Sequence, residues 1–156
     1  MNPDNTQRDV APAVLDLYKL AVEMADRLSA RRGSANAFFL TVQTTFIAVL
    51  AVTAPNLARS PWGVGLVVML AGIALSATWW LQLRSYRDLN AVKFKVINKI
   101  EENLPVKVFS DEWEHLKRDP VRTWRNRYAE LGMSERAIPW VFAALHTLMF
   151  VGRLWQ

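Results

Sequence analysis

The stretch Gly33–Ala58, GSANAFFLTVQTTFIAVLAVTAPNLA, decides the fold, because its 26 positions hold no charged residue. A helix rises about 1.5 Å per residue, so this run outlasts the roughly 20 residues that cross about 30 Å of hydrocarbon. Ser60–Leu83 repeats the pattern over 24 positions. Only Arg59 divides the two runs, in the turn Pro55-Asn56-Leu57-Ala58-Arg59-Ser60-Pro61. The alternative, two buried helices of a soluble bundle, fits poorly, since soluble core helices rarely stay charge-free for so long. The reading is a transmembrane hairpin, with span 1 over 34–55 and span 2 over 61–83.

Working outward, the charges fall on either side of the hairpin, over 1–32 and 84–136. At 156 residues the chain has room for one membrane domain and none for a separate enzyme module of ordinary size. The formal charge of +5 suits work beside an anionic membrane surface. Nucleic-acid binding is the weaker reading of that charge, because acidic residues are mixed through every basic stretch. Cysteine is absent, which excludes disulfide and thiol chemistry. The N-terminus opens with Met1-Asn2-Pro3-Asp4 and lacks an apolar signal segment, so span 1 is expected to act as its own insertion signal.

Residues 1–11 read as a loose polar tail. An amphipathic helix is expected over 12–32, with Leu17, Ala21, Met24 and Leu28 at helical spacing beside Val14 and Tyr18, packed on the other cytoplasmic helices or, as the alternative, lying on the membrane surface. It is expected to end at Arg31-Arg32-Gly33, with Ser34 or Asn36 opening span 1. Beyond Leu83 the second helix is expected to run on over 84–104, where Leu89, Val92, Val96 and Ile100 form a stripe facing the first helix. The two would make a cytoplasmic helical hairpin, ended at Asn103-Leu104-Pro105 because proline disfavours helix at the residue before it. Short helices follow over 110–132, one capped by Ser110 and one stopped at Gly132. Ala137–Gly152 is again uncharged, for 16 residues. A third span over 137–156 follows if Arg153 snorkels and Trp155 anchors it, a re-entrant or surface helix being the alternative. Trp62, Trp79-Trp80 and Trp140 would mark membrane boundaries. The fold class is thus an all-α integral membrane protein. Of the 19 lysines and arginines, all but Arg59 and Arg153 then lie on one side. That side is the cytoplasm of a bacterial inner membrane, so the N-terminus is inside and the C-terminus outside.

Candidate functional residues lie mostly within the spans. Ala37, Thr41, Thr44 and Ala48 make a small or hydroxylated stripe on span 1, with Thr45 beside it. Such a stripe lets membrane helices pack closely or lines a polar pore. Gln43 is costly against lipid and should face another helix or water. Gly72-x-x-x-Ser76 is a small-residue pair suited to helix packing. His146 falls mid-span, where a neutral histidine bonded to a neighbouring helix and a proton relay are both open. Arg122, Arg125 and Arg127 alternate with Trp124 and Tyr128, an arrangement for anionic lipid head groups or, less well, for a nucleotide messenger. His115 has loose acidic neighbours without metal spacing. No phosphate loop, nucleophile elbow or zinc motif is present. The reading is therefore no enzyme, no cofactor and no metal.

Two groups of phrases carry a resemblance. One comprises Val22-Glu-Met-Ala-Asp26-Arg27-x-Ser29-Ala-Arg31-Arg32 and Asn36-x-Phe38-Phe39-Leu40-Thr41. The other comprises Ser85-Tyr86-Arg87-x-Leu89-Asn90-x-x-Lys93-Phe94-Lys95-Val96-Ile97 and Leu104-Pro105 followed by Glu112-Trp113. They resemble a family of small bacterial integral membrane proteins. The layout is also similar to the SLATT-type membrane effectors of bacterial conflict systems, from whose two-span pattern a third span departs. That resemblance implies membrane disruption after a nucleotide-linked signal and carries over no catalytic residue. The expected function is an oligomeric pore-forming or membrane-perturbing effector embedded in the bilayer. The alternative is a membrane-anchored adaptor docking a soluble cytoplasmic partner through the face around Arg87, Lys93 and Lys95.

Overall fold

The computed structural model describes residues 3–104, 106–118 and 131–155, with side chains described over 12–104, 106–112, 114–115 and 135–155. Four helices follow in chain order: α1 (Pro3–Arg59), α2 (Trp62–Glu101), α3 (Val108–Arg118) and α4 (Leu131–Leu154). No strand occurs among the described residues. Three helices contain windows long and apolar enough to cross a membrane: Pro12–Arg59, Trp62–Glu101 and Glu135–Leu154. With no water in hydrocarbon to satisfy the backbone, helices are the form such segments take. The chain is an all-α integral membrane protein.

Several boundaries move outward from those the sequence suggests. α1 begins at Pro3 and takes in most of the expected loose tail. It also passes through Gly33 without a break, and no glycine among the described residues has positive φ. A glycine costs a helix only about 1 kcal/mol relative to alanine, too little to stop a run this long. The expected seven-residue turn shrinks to Ser60-Pro61, because 55–59 stay helical. Ser60 N–H bonds Leu57 O at 3.2 Å, and Val64 N–H bonds Pro61 O at 3.0 Å. α3 starts at Val108, two residues before its expected cap. α4 starts at Leu131 and takes in Gly132, while the helix expected to end at Gly132 lies, over 119–130, outside the described residues. Pro139 also lies within α4, and the helix continues beyond it.

The chain divides into two compact units, residues 1–31 with 86–127 and residues 32–85 with 128–156. In the first unit α1 and α2 pack through faces that differ from the expected stripes. Tyr18 and Ala25 of α1 and Ile97 and Glu101 of α2 turn inward, and Phe94 meets Phe109 edge-on at 5.6 Å. Leu17 and Met24 of the α1 stripe, and Leu89, Val92 and Val96 of the α2 stripe, are exposed instead. Helical periodicity alone does not choose between two apolar seams on one helix. Here the inner seam goes to the side chains that complete the Glu101 network.

That network fixes α3. The Glu101 carboxylate accepts from Phe109 N–H at 2.9 Å, Ser110 N–H at 3.2 Å and Ser110 Oγ at 3.1 Å. Tyr18 Oη donates to it at 2.9 Å. These amides are among the donors a helix leaves unsatisfied in its first turn, so Glu101 caps α3 from another helix. Burial pushes the carboxyl up, but the four donors outweigh burial and hold it below the ordinary carboxylate value. Burial and the same carboxylate push the Tyr18 phenol up.

Candidate functional site

The second unit is organised in layers between its three helical segments. At one end Arg32 pairs with Glu135, Nε lying 3.0 Å from Oε2. Asn36 Oδ1 then accepts from Trp79 Nε1 at 3.0 Å. The Trp79 indole stacks on Phe39 and tilts against Phe142, with centroids 6.0 and 5.9 Å away. Leu83 completes this aromatic cluster. Trp79, expected at a membrane boundary, is buried; its neighbour Trp80 meets Trp140 edge-on at 6.1 Å, with the Arg84 guanidinium 5.6 Å above its ring. Trp62, Trp140 and Trp155 are exposed.

The next layer is polar. Gln43 is fully buried, and its Nε2 donates to Ser76 Oγ at 2.7 Å and Gly72 O at 3.3 Å. Ser76 Oγ donates in turn to Gly72 O at 2.9 Å. With the amide nitrogen so committed, Gln43 Oε1 faces His146 Nε2 at 2.9 Å. That pairing assigns the ring proton to Nε2 and leaves buried Nδ1 without a hydrogen-bond partner. Phe46 tilts over the imidazole at 5.2 Å. A Cβ at Gly72 would collide with the His146 ring, so close approach here requires glycine. Seven residues earlier, a Cβ at Gly65 would meet Arg153 in the same way. Arg153 reaches the turn, where NH2 donates to Ser60 O and lies 3.3 Å from Ser60 Oγ. A cavity of about 260 Å³ between these layers is lined by Leu50, Val68, Phe150, His146 and Arg153.

The structure thus brings together four of the residues singled out in the sequence, Gln43, Gly72, Ser76 and His146. It separates them from the rest of the span 1 set. Ala37, Thr41, Thr44, Thr45 and Ala48 are exposed on the outer side of α1. The hydroxyls of Thr41 and Thr44 return to their own helix, at Ala37 O and Leu40 O, 2.9 and 2.8 Å away. Gln43 turns away from these threonines toward the neighbouring helices, and its amide is used within the protomer. Arg122, Arg125 and Arg127 lie outside the described residues. His115 is exposed on α3, and no group of three or more His, Cys, Asp and Glu gathers among the described residues. Sequence reasoning missed Glu101, whose adjacency to Glu102 hides that it turns inward alone.

No curated protein and no solved structure matches the chain. The profile of the Octameric membrane protein family (8xMP) matches residues 15–155, a stretch that takes in α2, α3, α4, α1 from residue 15 onward and every residue of the polar layer. The chain belongs to this family and is an oligomeric membrane protein.

Proposed function

We propose that eight copies of the chain form a ring around a permeation path in the bacterial inner membrane, the N-terminus lying in the cytoplasm. The observation that carries this reading is the outer face of α1. Ala37, Thr41, Thr44 and Ala48 are exposed there, with Thr45 beside them. A small, hydroxylated face of this kind suits close packing against another copy or the lining of a water-filled axis. The family's name supports the subunit number, and eight copies supply ample helices to enclose an axis. The distribution of lysine and arginine supports the orientation. The polar layer holds each protomer's spans together and does no chemistry, so the protein acts by opening the membrane and not as an enzyme. The layout, similar to SLATT-type effectors, supports a use in bacterial defence.

The test is ion conductance of the full chain in planar bilayers. Thr41→Leu with Thr44→Leu should lower conductance at least several-fold while the native mass holds. Wild-type assemblies of full mass that pass no ions would overturn the proposal. An adaptor remains the second reading, favoured by the exposed apolar residues of the first unit.

A further inference from the structure

Each helix of the first unit carries two apolar seams, and its own fold uses only one. On α1 the unused seam is Leu17, Leu20 and Met24, which are 59%, 52% and 49% exposed. On α2 it is Leu89, Val92 and Val96, at 51%, 58% and 51%. Both follow i, i+3, i+7 spacing, the period of a seam that meets another helix. They lie among the charged residues outside the apolar runs, so lipid tails do not account for them. A patch of this kind marks an interaction surface.

We propose that copies of the chain meet here head to tail, the Leu17–Leu20–Met24 ridge of one seating on the Leu89–Val92–Val96 ridge of the next. This rests on the oligomeric reading above and adds the surface that builds the oligomer. Charge selects the pairing. Helical spacing puts Asp16, Glu23 and Arg27 along the flank of the first ridge, with Asp16 paired to Lys19 at 3.5 Å and Glu23 to Arg27 at 2.7 Å. The same spacing puts Lys93, Lys95 and Lys99 along the second, with Asp88 the one acidic neighbour. Pairing the second ridge with itself would set its lysines against one another, whereas the first ridge, of mixed charge, offers those lysines carboxylates. Two different surfaces joined in this way repeat from copy to copy, and a rotation that closes after eight copies gives the ring.

The native chain has no cysteine, which makes the test direct. Full-length Leu20→Cys bearing one affinity tag and Val92→Cys bearing another are co-expressed, placed in nanodiscs and treated with a short thiol crosslinker. Native mass is read before crosslinking. The expected product is a covalent dimer carrying both tags, with little or none carrying one tag twice. An assembly of full mass that yields no mixed dimer, across Leu17, Leu20 and Met24 tested against Leu89, Val92 and Val96, overturns the ridge pairing and leaves the oligomer standing. Dimers carrying one tag twice overturn the head-to-tail geometry. A monomeric mass overturns the oligomeric reading itself.

Discussion

At the scale of single residues, buried polar groups decide the packing. Replacing Gln43 with leucine leaves the Ser76 oxygen without its donor and the His146 Nε2 proton without its acceptor in a dry interior, a loss of about 1–3 kcal/mol. The expected outcome is a lower melting temperature in detergent, and an unchanged transition would show that the layer is not stabilising. Gly72→Ala should cost about 1–3 kcal/mol through the clash with the imidazole, read in the same assay. Glu101 makes a pH prediction. Its folded pKa is depressed, so its contribution is fully present above the unfolded carboxylate value near 4.5. It is lost as the pH falls below that value and through the folded pKa. Glu101→Gln should flatten this acid limb and speed amide exchange at Phe109 and Ser110. An acid limb identical to that of the wild type would remove Glu101 from the cause.

At the scale of elements, apolar length was legible and boundaries were not. The two long charge-free runs gave the hairpin, because hydrocarbon imposes a length that few soluble helices meet. Gly33 misled because glycine marks a helix end only where positive φ or a tight contact needs it. Here it has ordinary helical geometry, and nothing lies within 4 Å of where its Cβ would be. Gly33→Ala should therefore stabilise the protein by about 0.5–1 kcal/mol, seen as a raised melting temperature. Destabilisation would imply a close neighbour at that position in the assembly. Ser110 misled in a different way. A serine before acidic residues reads as a cap, yet the capping group comes from Glu101, nine residues away on another helix. Tertiary partners of this kind leave no local sequence signal. Gln43 and His146 were each legible as polar groups out of place in a span and Ser76 as a small residue of a packing pair, but their mutual contact was not.

At the scale of the whole molecule, the protomer reads as a part. Its strongest intramembrane polar groups are used internally, while its threonine face and both outer ridges of the first unit are left uncovered. Apolar and hydroxylated surface of this extent on a small chain calls for neighbours, and the family to which it belongs is named for an eightfold assembly. The direct measurement is native mass spectrometry of the full chain released from lipid nanodiscs. The expected result is one dominant species of eight 17.8 kDa copies, persisting at the lowest detergent concentration that keeps it soluble. A dominant monomer or dimer would have too few spans to enclose a water-filled axis and would contradict the ring.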